Sequence, residues 1–180
     1  MKSIIISKKH IIAASCILLT LTLTIICAQG TFAANNKKLP IYCVETEKKQ
    51  IAISFDAAWG NDDTETLINI LKEYDVPATF FVVGAWVDKY PESVKQLSDA
   101  GHQIQNHSNT HPYMSSLSLN QVIDEINTCN DKIENVTGKR PTLLRPPYGD
   151  YNNQLIEALD SLDMHCIQWD VETLATKVIV

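Results

Sequence analysis

The amino-acid sequence predicts an α/β fold built on parallel strands. Short apolar segments alternate with amphipathic helical segments from residue 50 onward, and a polar or charged residue follows nearly every apolar segment. Repeated strand–helix alternation indicates parallel strands joined by helical crossovers. In folds of this kind the functional residues lie at the carboxyl ends of the strands. The sequence therefore also predicts where a site would form.

The elements follow from apolar spacing and from helix start and stop signals. The third predicted helix has Leu119, Val122, Ile126 and Ile133 at helical spacing and Gly138 as its stop. Five strands are predicted, and we expect the core to be open on one side and the last strand to have an unpaired edge. The predicted strands cover 50–55, 78–84, 102–105, 142–145 and 164–169, and the predicted helices cover 62–75, 91–97, 118–138 and 152–162.

The N-terminus has the pattern of an export signal. Lys2, Lys8 and Lys9 precede an uncharged run from Ile11 to Ala28, and small residues surround a possible cleavage point after Ala33. This order is typical of a secretory signal peptide. The run also approaches the roughly 20 residues that an uncleaved membrane anchor needs. We predict a signal peptide or membrane anchor over 1–34, a linker over 35–48 and the folded domain over 49–180.

Charge and cysteine content exclude several classes of protein. The net charge is −6, and the first 34 residues contain three lysines and no acid, so the acidic excess lies in the body of the chain. Such a body lacks the basic face that a nucleic acid requires and fits a neutral or mixed-charge polymer. Beyond the leader, Cys43, Cys129 and Cys166 are widely spaced and form no CxxC pair. This argues against a disulfide framework and against thiolate zinc ligation.

Two histidines lie four residues apart after the third predicted strand. If the segment 106–111 begins a helical turn, His107 and His111 share one face and can bind one cation such as zinc, which would still need a third ligand. The spacing alone fits an ordinary polar loop equally well. His102 is interpreted as a structural residue at the surface. A zinc peptidase would need an H-E-x-x-H helix or further acidic ligands near the pair, and the sequence has neither.

Asp56 and Arg145 follow or end predicted strands. A carboxylate at a strand end can serve as general base toward water, and Pro146 and Pro147 would fix the arginine and the backbone amides after it. Each residue also has an ordinary interpretation, Asp56 as a cap and Arg145 as a surface residue. Together with the histidines they indicate metal-assisted hydrolysis, with backbone N–H groups near Tyr148 stabilising the oxyanion.

Three segments, ISFDAAWGNDDT, NHSNTHPYM and RPPYGDYN, occur in this order and resemble the NodB-homology polysaccharide deacetylases, carbohydrate esterase family four. The FDAAWG form resembles sporulation-associated and cell-wall-directed members from spore-forming Gram-positive bacteria. The resemblance covers roughly residues 48–174. It implies a distorted (β/α) barrel, incomplete here at about five strands. It also implies metal-dependent removal of N-acetyl groups from peptidoglycan or chitin-like polysaccharides outside the cytoplasm.

The resemblance also implies a role for each motif residue. Asp56 corresponds to the catalytic base, Arg145 to the residue that orients it, and the backbone amide of Tyr148 to part of the oxyanion hole. His107 and His111 correspond to metal ligands, and the metal implied is zinc, or cobalt or a similar divalent ion. The partner implied is a polysaccharide, with membrane contact only through the N-terminal segment.

The sequence departs from the family pattern at three places. Many members have a second Asp after the base as third metal ligand, where this chain has Ala57, and the nearby Asp62 and Asp63 are interpreted as helix N-caps. The family's Asp-Trp pair corresponds to Ala175–Thr176. The chain stops at Val180, before the family's last strand and its assisting His, so we expect a C-terminally truncated domain. The alternative to the deacetylase is an inactive or non-enzymatic glycan-binding remnant.

Overall fold

The computed structural model describes residues 8–9, 15, 17–22 and 37–172. The chain divides into two units at Lys37, and in the first unit residues 17–22 are helical. Within the described residues, no helix combines the length and the apolar character that crossing a bilayer demands. The predicted cleavage point after Ala33 and the pair Ala175–Thr176 lie outside the described residues, so both stay predictions.

The second unit is an α/β domain, as predicted. Its described elements occur at the predicted places with shifted bounds, and the short helix α2 was not predicted. The strands are β1 (Ile53–Ala57), β2 (Ala78–Val82), β3 (Gln103–Asn106), β4 (Leu143–Leu144) and β5 (His165–Cys166). The helices are α1 (Thr64–Glu73), α2 (Gly84–Lys89), α3 (Pro91–Asp99), α4 (Leu119–Thr137) and α5 (Asn153–Ser161), with 3-10 turns at Met114–Ser116 and Pro147–Gly149.

The five strands form one parallel sheet in which spatial order follows chain order, β1-β2-β3-β4-β5. Parallel crossovers are right-handed, so an unbroken sequential order places all connecting helices on the same face of the sheet. A doubly wound sheet would instead reverse its strand order at a switch point. The observed sheet therefore has the winding of part of a (β/α) barrel wall, and the predicted fold class is confirmed.

The edge of β5 is covered at one point by the start of the domain. The Ile41 amide donates to the carbonyl of Cys166 at 2.8 Å, and the Gln168 amide donates to the carbonyl of Ile41 at 2.8 Å. Lys38 reaches α5, with its Nζ 3.4 Å from the Asp160 carboxylate. Residues 38–41 were predicted as part of a linker, and the structure places them against the sheet instead. The last edge is thus partly paired rather than fully open.

Two apolar clusters fill the space between the sheet and the helices. The alternation along β1 directs Phe55 and Ala57 toward the first cluster and leaves Ser54 and Asp56 on the opposite face. Helix α4 contributes to both clusters and so ties the two halves of the sheet together. The first cluster contains Leu71, Phe80, Val82, Trp86, Val94, Leu97, Ile104 and Ile133, and the second contains Val122, Ile126, Leu144, Leu155, Leu159 and Cys166.

Helix α4 begins at a capping box and ends at Gly138, the residue predicted to stop it. The Gln121 side chain accepts a hydrogen bond from the Ser118 amide at 3.0 Å in a capping box, and Gly138 ends the helix at a φ of 71°.

The described cysteines Cys43, Cys129 and Cys166 are free, and burial raises the pKa of the Cys129 and Cys166 thiols to about 12. Both buried thiols therefore stay protonated and act as small apolar residues.

Candidate active site

The strand register brings the predicted site residues to one edge of the sheet. Asp56 pairs in register with Phe81, and Asn106 pairs with both Val82 and Leu144. His107 follows β3, and Arg145 follows β4. Because parallel strands end on the same side, Asp56, His107 and Arg145 meet at the carboxyl edge, where the sequence placed them.

Arg145 and Asp56 form a close ion pair. The Arg145 Nη1 donates to Asp56 Oδ1 at 2.8 Å, and Nη2 donates to Ser54 Oγ at 2.7 Å. The arginine carbon Cζ lies 4.1 Å from the centre of the Phe81 ring. The Arg145 side chain is 6% exposed and the Asp56 side chain 35%, so the guanidinium is desolvated while the carboxylate still reaches solvent. This arrangement fixes Asp56 and leaves its second oxygen available to a proton.

The sequence missed Ser54, which holds the second arginine nitrogen. Its only signal was the alternation of the first strand, which places Ser54 and Asp56 on the same face. The resemblance implied that an Asp of the family's Asp-Trp pair would bind this arginine. Because Ala175–Thr176 correspond to that pair, Arg145 was expected to lack its partner. In the described part of the chain the arginine nevertheless has Asp56 and Ser54, although its Nε is buried without a hydrogen-bond partner.

His107 is oriented by the backbone around it. Its Nδ1 lies 2.6 Å from the carbonyl oxygen of Arg145, and since a carbonyl only accepts, Nδ1 carries the proton. The lone pair is then on Nε2, which lies 3.9 Å from Asp56 Oδ2. Burial lowers the pKa of His107, while Asp56 acts in the opposite direction. A neutral imidazole that donates from one nitrogen to a carbonyl is the form of histidine that binds metals.

His111 lies beside His107, with the two ring centres 5.1 Å apart. The segment between them is a loop and not the helical turn that would have given the two histidines a shared face. Ser108 and His111 have φ values of 66° and 63°, and these left-handed turns bring the second ring back toward the first. Burial lowers the pKa of His111, and its Nδ1 is a buried atom without a hydrogen-bond partner among the described residues.

The histidine loop is held by the side chains of Glu125 and Ser108, and the sequence did not single out Glu125. The Glu125 carboxylate accepts from the amides of Asn109 and Thr110 at 2.8 Å each and from the Thr110 hydroxyl at 2.7 Å. Ser108 Oγ accepts from the His111 amide at 3.0 Å. No local sequence pattern links Glu125 to the loop. Glu125 lies on α4, 16 residues after Asn109, where a glutamate is an ordinary helical residue. These bonds keep two unfavourable backbone conformations in place.

The residues present provide only part of a metal site. Two neutral imidazoles and the carboxylate of Asp56 lie close together, but Ala57 has no donor atom and packs against the first apolar cluster. Asp63 occupies the N-cap position of α1, although its side chain makes no capping hydrogen bond. In the described ranges no group of three or more His, Cys, Asp or Glu residues is arranged to hold a metal ion. The donor set therefore fits two of the three protein ligands of a catalytic zinc site.

Tyr148 lies in the 3-10 turn after Arg145 with a φ of 60°, which is an unfavourable conformation for a residue with a side chain. Its ring contacts His111 with centres 4.7 Å apart and stacks on Tyr113 at 4.3 Å. The rigid turn after the strand was predicted from the two prolines. The role of the Tyr148 amide in an oxyanion hole stays a prediction.

The sheet has the winding of part of a (β/α) barrel, and Asp56, His107 and Arg145 meet at the carboxyl ends of its strands. A family model for polysaccharide deacetylases matches residues 44–167. The chain therefore belongs to the polysaccharide deacetylase family, as its three motifs predicted.

Two curated relatives are 33% and 38% identical to this chain over the aligned residues. Peptidoglycan-N-acetylmuramic acid deacetylase PdaA from Bacillus subtilis is 33% identical over 138 residues, which cover 76% of this chain and 52% of PdaA. PdaC, a peptidoglycan-N-acetylmuramic acid deacetylase of the same organism, is 38% identical over 129 residues, covering 72% of this chain and 27% of PdaC. The chain spans about half or less of the length of these relatives.

Solved structures match the fold as well. The structure of Bacillus subtilis PdaA, a family 4 carbohydrate esterase, matches with a TM-score of 0.72 and 32% identity, covering 77% of this chain and 60% of that one. BA3943, a CE4 family pseudoenzyme from Bacillus anthracis, matches with a TM-score of 0.74 and 34% identity over 76% of this chain and 49% of its own. A BA3943 mutant with restored enzymatic activity matches equally, at 36% identity. The family thus contains both deacetylases and a pseudoenzyme.

Proposed function

We propose that this protein is a metal-dependent hydrolase that removes N-acetyl groups from amino-sugar polymers such as peptidoglycan or chitin-like glycans. The observation that carries the proposal is the grouping of Asp56, Arg145 and His107. The Arg145–Asp56 bond of 2.8 Å fixes one carboxylate oxygen, and the other lies 3.9 Å from Nε2 of His107. This geometry supports a role for Asp56 as a proton acceptor beside the two neutral imidazoles.

Each residue has a defined part in the proposed reaction. Asp56 Oδ2 accepts the proton of the attacking water, while Arg145 keeps the carboxylate in a single orientation. The carbonyl of Arg145 accepts the hydrogen bond from Nδ1–H of His107. Arg145 therefore positions His107 through its backbone and Asp56 through its side chain. His107 and His111 would hold a zinc or similar divalent ion, which when bound would polarise the amide carbonyl and lower the pKa of water. The Tyr148 amide would then donate to the oxyanion.

The proposal includes action outside the cytoplasm. Its support is the sequence of residues 1–34, in which a basic start precedes an apolar run and small residues. Membrane contact, if the leader is retained, would involve this segment alone. The acidic body suits a wall polymer better than a nucleic acid. The FDAAWG motif favours a sporulation or cell-wall role in the envelope of a Gram-positive spore-former.

Acetate release tests the proposal. The full chain is incubated with zinc and either peptidoglycan or an N-acetylglucosamine oligomer, and acetate is measured beside the isosteric variant Asp56→Asn. We expect release by the wild type and a loss of at least about a hundredfold in Asp56→Asn, which cannot accept the proton. Release of acetate that is equal in the two proteins, or none from either, would refute the hydrolase.

A non-enzymatic glycan-binding protein is the second candidate, and Ala57 is the observation that favours it. Without a carboxylate at this position the two histidines have no third protein ligand among the residues that the structure describes. The likeness to the pseudoenzyme BA3943 supports the same alternative. The two candidates differ in one outcome, since a binding protein retains glycan affinity while releasing no acetate in the presence of zinc.

A further inference from the structure

Two carboxamide side chains lie buried behind the candidate active site. Asn106 ends β3 and Asn130 lies on the buried face of α4, and the two residues are 0% and 2% exposed. Nδ2 of Asn106 donates to Oδ1 of Asn130 at 2.7 Å and to the carbonyl oxygen of Ile126 at 2.9 Å. Buried polar groups destabilise a fold unless they are hydrogen-bonded, so the bonds of this pair show what it does.

Asn106 connects the pair to the histidine loop. Its Oδ1 accepts from the Ser108 amide at 2.7 Å, and its backbone carbonyl accepts from the Arg145 amide at 3.0 Å. Ser108 has the left-handed φ of 66°, and its Oγ accepts from the His111 amide. The side chain of Asn106 therefore fixes the first residue of the turn that brings the second histidine back toward the first.

The two polar ends of the Asn130 side chain are used unequally. Oδ1 accepts the 2.7 Å bond from Asn106, whereas Nδ2 lies 3.2 Å from the sulfur of Met164, which is a weak acceptor. Asn106, in contrast, uses both hydrogens of Nδ2 as well as its oxygen. The contribution of Asn130 that an apolar residue could not replace is the acceptor that it offers to Asn106.

We propose that Asn130 is a positioning residue for the candidate active site, which acts through Asn106 on the loop that carries the histidines. The inference rests on the proposed function for the meaning of the site and extends it to a residue in the core behind it. With no acceptor at position 130, one N–H of Asn106 would be buried without a partner. This penalty applies only while Asn106 keeps its native position, so conformations that release the Ser108 amide become more populated.

The contact from the core acts on a different part of the loop from the contact at the surface. Glu125 binds the amides of Asn109 and Thr110, and the bond from Thr110 is exposed. Ser108, which Asn106 binds, is 0% exposed and directly follows the first histidine. Water does not compete for a buried hydrogen bond, so the core contact is the more rigid of the two.

Amide hydrogen exchange, followed by NMR on the full chain without metal, tests the inference. Asn130→Leu keeps the number and branching of the side-chain atoms and removes the acceptor. Asn130→Asp keeps an oxygen that Asn106 can donate to, and Met164→Leu removes only the weak contact. The amides of Ser108 and His111 report on the loop, and those of β2 report on opening of the whole domain. The ratio of the two exchange rates separates the loop from overall stability.

We expect Asn130→Leu to speed exchange at Ser108 and His111 by at least about tenfold relative to β2, because a buried donor has lost its partner. Asn130→Asp and Met164→Leu should keep the ratio within about twofold of the wild type. Asn130→Asp should nevertheless melt at a lower temperature, because it buries a carboxyl group. A merely structural role predicts the opposite, with loop exchange following the melting temperature of each variant.

The wild type provides a measurement that needs no variant. The side-chain amide hydrogens of Asn106 and the Ser108 amide should exchange far more slowly than exposed amides do. Exchange at the rate of an exposed amide would overturn the inference, as would an unchanged ratio in Asn130→Leu or a tenfold change in Asn130→Asp. If Asn130→Leu does not fold, Asn130→Asp and the wild-type signals decide.

Zinc affinity and acetate release distinguish this inference from the proposed function. Chelator competition should show zinc binding at least about tenfold weaker in Asn130→Leu and unchanged in Asn130→Asp, since residues behind metal ligands commonly have effects of this size. Loop exchange that depends on the acceptor at position 130, with no acetate release, would support the positioning role and refute the hydrolase. Acetate release with the same kcat and KM in the wild type and Asn130→Leu would refute the positioning role and support the hydrolase.

Discussion

Replacing Glu125 by alanine should loosen the loop that carries both histidines. The carboxylate accepts three hydrogen bonds of 2.7 to 2.8 Å, two from backbone amides and one from the Thr110 hydroxyl. The bond from the Asn109 amide is partly buried, and the two from Thr110 are exposed. We assign about 1 kcal/mol to the first and about 0.5 kcal/mol to each of the others, after allowing for solvent screening. The variant should therefore lose about 2 kcal/mol of unfolding free energy.

Urea unfolding followed by tryptophan fluorescence measures this loss, which corresponds to a fall of about 4–8 °C in melting temperature for a chain of this size. Glu125→Gln is the matched control. Both backbone amides donate to the same oxygen, Oε2, and the glutamine carbonyl can replace it. Its amide group can donate to the Thr110 hydroxyl, so we expect less than half of the loss in this variant.

Zinc binding provides a second measurement of the same change. A loosened loop must be ordered when His107 and His111 bind an ion together, so Glu125→Ala should weaken zinc affinity by about tenfold. An unfolding free energy within about 0.5 kcal/mol of the wild type would refute the reasoning, because surface substitutions commonly have effects of that size. The loop would then depend on its bonds to Ser108 and Asn106 instead.

Three further substitutions test other contacts of the domain. Gly84→Ala should lower the free energy of unfolding by about 1–3 kcal/mol, because the added Cβ would meet the Asn109 backbone at 3.1 Å. Alanine normally stabilises a helix relative to glycine, so a higher melting temperature of the variant would contradict this prediction. Ala57→Asp should tighten zinc binding by at least about tenfold in a chelator competition, and no gain over Ala57→Asn would count against the missing-ligand hypothesis. Burial lowers the pKa of His102 from its ordinary value of 6.5. Below pH 6.5 the unfolded chain therefore binds a proton at His102 more readily than the folded chain does. The free energy of unfolding consequently falls as the pH drops below 6.5. His102→Asn should reduce this loss between about pH 7.5 and about pH 5 in urea titrations, and an unchanged pH dependence would argue against the assignment.

His102 shows what the sequence can predict for a single residue. It was interpreted as a structural residue at the surface. The structural part is confirmed, because His102 accepts a hydrogen bond from the Ala78 amide at 3.3 Å and packs against Phe80. The surface position was wrong, because the residue is 8% exposed. The elements α1, α4 and α5 were also predicted, because their apolar spacing and end signals are local. Strands β4 and β5 were predicted too long, since the extent of a strand depends on the neighbour with which it pairs.

The sequence by itself determined the order of strands and helices, the chemical identity of the site residues and the family to which the chain belongs. These are properties of local spacing and of motifs that remain visible without coordinates. Only the tertiary structure decided that Arg145 binds Asp56 and Ser54, that Glu125 holds the histidine loop and that Ile41 pairs beside β5. Such contacts join residues far apart in the chain. They depend on strand register and on left-handed turns at Ser108 and His111, which no periodic pattern encodes.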